Sequence, residues 1–206
     1  MSHFTVLVRG TATNLAEARA IVESMLAPYD ENIVTVPYKR HMSDDDIMRM
    51  RDNYSIAPDD DDGLIAKMKD WHGVEGGKDD EGFFYWSTYN PKSKWDWWVL
   101  GGRWSGLIKL KQHTNPDDSA EGEPGVGNNP TGIDIAFAEA IDFDESQITT
   151  FAVLDKDGWH ERAEMGWFGM SVNETESIDD WTLAFHDRFL SDLTPDTFFA
   201  VVDCHI

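Results

Sequence analysis

The sequence predicts an α+β fold, a mostly antiparallel sheet covered by helices on one side, with the first and last strands central. Three observations predict it. His3 to Val8 (HFTVLV) is β-branched and alternating, which is the pattern of a strand. Thr197 to Ile206 (TFFAVVDCHI) is apolar on both faces until Asp203, which fits a strand in the middle of a sheet. Amphipathic helices and short strands are mixed between these two segments without a regular β–α repeat.

Taken in order, Asn14 caps a first helix, with Glu17 at the capping-box position. Leu15, Ala18, Ile21, Val22, Met25 and Leu26 fall on one face of it, and Pro28 follows its end. Ile33 to Tyr38 reads as a short strand limited by Pro37. Ser43, with Asp46 three residues on, caps a second helix. The run Asp59 to Asp62 fails as a calcium loop: with Gly63 at position six, position twelve is Lys69. It opens a third helix instead, with Leu64, Ile65, Met68 and Trp71 on one face. Gly73 to Gly82 reads as a polar loop and Phe83 to Tyr89 as a strand. Trp95 to Leu100 and Arg103 to Lys111 read as two strands around Gly101-Gly102. Residues 112–131 carry three Gly and three Pro and little that can pack, so a mobile loop is expected. Lys156-Asp157-Gly158 turns a hairpin between 149–155 and 159–162. Ser177 and Asp180 cap a last helix with Trp181, Ala184, Phe185, Phe189 and Leu193 inward.

At 206 residues and 41% hydrophobic content, a single domain over 1–206 can bury a substantial core. Met1 to Val8 lacks the pattern of a signal peptide, and no apolar run reaches membrane-spanning length. The single cysteine, Cys204, excludes an internal disulfide and fits a reducing cytoplasm. Net charge is −22, which disfavours direct binding to nucleic acid or to an anionic membrane. Residues 104–206 hold 21 acidic and five basic side chains, so the second half is the more acidic.

One basic island interrupts this. Tyr89 to Gly106 (YNPKSKWDWWVLGGRWSG) holds four of the nine tryptophans. From Asn90 to Lys111, five cations face one acid, Asp96. Rings, cations and glycine backbone suit a flat anion, and they equally suit a Trp-rich core. Candidate ligand-binding residues are Trp95, Trp97, Arg103 and Trp104, joined by Trp159 and Trp167. Alternation would put Trp95 and Trp97 on one strand face, with Asp96 and Trp98 on the other. A second constellation is His3, Asp203 and His205. Alternation puts Asp203 and His205 on one face and Cys204 on the other, so pairing of the terminal strands would make an acid–base or metal-binding cluster. Glu161 and Glu164 form a third pair, more in keeping with a hairpin rim. Ser105 lacks the spacing of a nucleophile elbow.

The blocks SHFTVLV, LAPYDEN, YNPKSKWDWW–GGRWSG, FAVLDKDGWHE with MGWFG, and VVDCHI resemble a family of uncharacterised proteins of tailed bacteriophages and bacterial genomes. The resemblance implies a phage-type protein working in the host cytoplasm, with takeover or counter-defence as its setting. It supplies no activity and no cofactor.

Three functions fit. The first is binding of a small anionic, nucleotide-like ligand in a cleft lined by tryptophan and arginine. The second is an enzyme, metal-dependent or acid–base, using His3, Asp203 and His205. The third is an acidic decoy that occupies a basic site on a host protein.

Overall fold

The computed structural model describes residues 2–124, 132–166 and 170–206. The chain divides into two compact units, Met1–Glu31 with Lys92–Ile206, and Asn32–Pro91. It opens with β1 (His3–Thr11) and α1 (Leu15–Leu26). The second unit follows, with β2 (Tyr38–His41), α2 (Asp44–Tyr54), α3 (Asp61–His72), β3 (Gly76–Asp79) and β4 (Gly82–Ser87). The first unit resumes with β5 (Trp97–Gly102), β6 (Ser119–Glu121), β7 (Glu123–Pro124), β8 (Ile133–Phe137) and α4 (Phe143–Ser146). It continues with β9 (Ala152–Asp155), β10 (Gly158–Glu161), β11 (Glu164–Met165), β12 (Ser171–Val172), α5 (Ile178–Phe189) and β13 (Thr197–His205).

The sheet of the first unit is built on β1 and β13. They pair antiparallel along their whole lengths, from His3↔His205 to Thr11↔Thr197. On the outer side of β1 lie β9, which is parallel to it, and then β10. On the other side of β13, β5 takes the half near His205 and β8 the half near Phe198. The fold is therefore α+β and mostly antiparallel, with central terminal strands, as the sequence indicates.

Helices cover both faces of this sheet, not one. Val6, Val8, Phe198, Ala200 and Val202 pack with Ala18, Val22 and Leu26 of α1. Leu7, Phe199 and Val201 pack with Trp181, Phe185 and Phe189 of α5. The cause is visible in β13: alternate residues are apolar in both directions, so each face needs cover. The indole N–H of Trp181 donates to the Thr150 carbonyl at 2.8 Å, so this buried ring leaves no polar atom unpaired.

Other expectations change. Arg103 to Lys111 is not a strand; residues 103–106 form a turn, and Leu110 makes one isolated bridge to Ile141. Its imperfect alternation marks this. Of the stretch 112–131, residues 119–121 and 123–124 form β6 and β7, and 125–131 lie outside the described residues. The first helix behaves as read: the Asn14 side chain accepts the Glu17 amide at 3.0 Å.

In the second unit β2 and β3 flank β4 in an antiparallel sheet. Met50, Leu64, Met68 and Phe83 form its core. Within the acidic run, Asp60 caps α3 by accepting the Gly63 amide at 2.8 Å. The strand expected over 33–38 begins only at Tyr38, and the expected loop 73–82 contains β3. Neither was legible, because β3 reads GGKD and owes its pairing to β4 alone. Trp71, expected to face inward, is 65% exposed. Among the described residues no helix is long and apolar enough to cross a membrane.

Candidate functional site

The register of the terminal strands decides the site. His3 lies opposite His205, and Thr5 opposite Asp203. Alternation carries His3, Asp203 and His205 onto the α5 face of the sheet, beyond Leu7 and Val201. Strand β5 then sets Trp97 opposite His205 and Val99 opposite Asp203.

Two histidine–aspartate dyads result. His3 Nδ1 lies 2.8 Å from Asp203 Oδ1, and His205 Nδ1 lies 2.6 Å from Asp96 Oδ1. The two imidazoles meet edge to face with centroids 4.9 Å apart. An ionised carboxylate only accepts, so each Nδ1 carries the donated proton. In the neutral ring Nε2 is then left as an acceptor, and neither Nε2 has a hydrogen-bond partner among the described residues. The edge of Trp97 closes the group, 6.1 Å from His3 and 6.4 Å from His205. The histidine side chains are only 11% and 14% exposed, whereas Trp97 is 47% exposed.

The backbone of GGRWSG holds the carboxylates in place. Asp203 is buried, and its second oxygen accepts the Arg103 amide at 2.9 Å. Asp134, fully buried, accepts from Ser105 Oγ at 2.6 Å, from the Gly106 amide at 2.7 Å and from the Gly122 amide at 3.1 Å. Gly101 and Gly102 both have positive φ, +80° and +56°. A β-carbon at Gly101 would lie 2.1 Å from Asp134 Oδ2, and one at Gly102 would lie 2.5 Å from Asp203 Oδ2. The glycine pair is therefore required twice over, for conformation and for room.

Burial pushes the Asp134 carboxyl above its ordinary 3.8, against the opposing pull of Ser105, Gly106 and Gly122. The folded chain thus holds this proton more tightly than the unfolded chain. The stability linked to it is complete below pH 3.8 and is lost as pH rises through the folded value. Carboxyl carbon NMR should give Asp134 a midpoint above 3.8, and a midpoint at or below that value would contradict the assignment.

No protein-family profile, curated protein or solved structure matches this chain. The site has to be read from its own geometry.

The expected acid–base cluster of His3, Asp203 and His205 is brought together. The expected tryptophan cleft is not. Trp95 precedes β5, is buried in the α1-face core, and donates its indole N–H to the Leu26 carbonyl at 3.2 Å. It therefore does not share a face with Trp97, and Asp96 turns to the side of His205. Trp159 packs on Phe4 and Tyr29, also on the α1 side, and donates to Glu161 Oε2 at 2.8 Å. Trp104 is half-buried against the α5-face core. Arg103 is exposed, one residue along from the Gly102 contact with Asp203, and its guanidinium makes no ion pair among the described residues. Trp167 lies outside the described residues.

Glu161 is structural. Its other oxygen takes Lys94 Nζ at 2.6 Å. Burial pushes the Cys204 thiol well up, and it faces the α1-side core as a small hydrophobe. Among the described residues no group of three or more His, Cys, Asp or Glu side chains is placed to hold a metal ion. Sequence reasoning missed Asp96, which bonds His205, and Asp134, which holds the Ser105–Gly106 turn. Asp96 could be found only from the Trp97↔His205 register, because strand alternation alone pairs it with Trp98.

Proposed function

We propose that the protein is an acid–base enzyme for a small phosphate ester, with His3 and His205 as the paired proton-transfer groups. One observation supports this above the others: each imidazole has its Nδ1 tied to its own carboxylate, and the two rings touch. In the neutral histidine, Nε2 takes a proton from an attacking hydroxyl or water. The other, protonated, gives its proton to the leaving oxygen. Asp203 and Asp96 orient the rings. Trp97 offers a face for a base, and the Arg103 guanidinium offers a charge for the phosphate. In the phage setting implied by the resemblance, a host nucleotide is a fitting substrate.

Bis(p-nitrophenyl) phosphate and a 2′,3′-cyclic nucleotide are suitable probes. Turnover should fall at both low and high pH, because one ring must carry the proton and the other must lack it. His3→Ala and His205→Ala should each cost about 10²–10⁴-fold in kcat with the thermal transition retained. Absence of turnover by the wild-type chain would sink the enzyme reading. Retained affinity for the cyclic nucleotide, lost in Arg103→Ala, would then favour binding without chemistry, to which the exposed Trp97 and Arg103 also lend themselves.

A further inference from the structure

The second unit contains a cleft of about 450 Å³ between β2, α2, the end of α3 and β4. This volume lies within the range of small-molecule sites. Its mouth carries two large rings left in water, Trp71 at 65% and Tyr54 at 39% exposure, with centroids 6.2 Å apart. His72 is stacked flat on Tyr85 within the lining, at 3.7 Å and 12°. Burial, with Arg40 beside it, lowers the His72 pKa, so a neutral imidazole with both a donor and an acceptor faces this space at neutral pH.

The charges are unusual for this chain. Acidic side chains outnumber basic ones 39 to 17, yet one carboxylate, Asp46, lines the cleft. Asp46 is already engaged by Ser43 Oγ at 2.7 Å and by Arg49 at 2.6 Å. His41 is occupied by Asp79 at 3.0 Å. Arg40 makes no ion pair among the described residues; its guanidinium lies 6.0 Å over the Tyr89 ring. In a protein with so many acids, a cleft-lining arginine that no carboxylate neutralises among the described residues has its charge available to an anion.

We propose that this cleft binds a planar aromatic ligand bearing an anionic group, of nucleoside monophosphate size, with the ring on Trp71 and Tyr54 and the anion on Arg40. Stacking takes any flat base, and Arg40 selects for charge. The proposal is independent of the histidine pair, which belongs to the other unit.

Isothermal titration of the full chain with AMP, adenosine and inorganic phosphate tests it. AMP should bind more tightly than either fragment. Arg40→Ala should weaken AMP about tenfold and leave adenosine unchanged. Trp71→Ala should weaken both by roughly tenfold or more. His205→Ala should bind AMP like the wild type, which separates this site from the dyads. Both substituted side chains are at the surface, so an unchanged thermal transition should show that the fold is kept. AMP binding that survives Arg40→Ala and Trp71→Ala, or no AMP binding at millimolar concentration, would overturn the proposal.

Discussion

Gly102→Ala is expected to cost about 2–4 kcal/mol in urea unfolding, the sum of left-handed strain and overpacking. The residue has φ +56°, and its new β-carbon would lie 2.5 Å from both Cβ and Oδ2 of Asp203. Asp203 cannot step aside, because one oxygen holds His3 and the other holds the Arg103 amide. Gly73→Ala is the control. It has a similar φ of +65° with nothing within 4 Å of the added carbon, so only the backbone term remains, about 1 kcal/mol. Equal costs at the two positions would show that the carboxylate contact contributes nothing. A loss of the larger size is a substantial part of the ~5–15 kcal/mol that stabilises a typical domain.

Asp203→Asn is expected to lower turnover about a hundredfold or more while leaving KM little changed. Two donors converge on this side chain, the His3 Nδ1–H and the Arg103 N–H. An amide has one oxygen for them. If that oxygen stays with Arg103, its NH₂ group faces His3, which must move its proton to Nε2 and can no longer act as a base there. If it stays with His3, the part-buried backbone N–H of Arg103 loses its acceptor. The pH profile separates the two cases: loss of a limb means a changed tautomer, and a uniformly lower profile means displaced geometry. A profile and rate like those of the wild type would remove Asp203 from the proposed mechanism.

How much of this was legible in the sequence varies with the kind of signal. HFTVLV showed as a strand through its alternation and β-branched residues, and TFFAVVDCHI as a central one because burial on both sides leaves a continuous apolar run. The same run in β13 requires cover on both faces, which the expectation of helices on one side overlooked. Capping boxes at Asn14, Ser43 and Ser177 placed α1, α2 and α5, since a cap is a local bond and needs no tertiary partner. The histidine cluster was legible because strand alternation is local and only the pairing of the strands was missing. The tryptophans misled because an indole serves a core and a ligand equally well. Trp95 and Trp159 satisfy their N–H groups internally, which no spacing reveals. The clamp on Asp134 was invisible because its donors come from Ser105, Gly106 and Gly122, and two of the three are backbone groups.

The pairing of β1 with β13 also sets the order of events at birth. Strand β1 is synthesised early, and both of its neighbours, β9 and β13, are synthesised late. Its register cannot be found by any local search, so the central step of folding is a long-range closure and should be slow. Until it happens, β1 is an apolar strand with both edges unpaired. The same closure that completes the sheet brings His3 to His205. A chain interrupted before residue 197 would have neither the completed sheet nor the paired histidines.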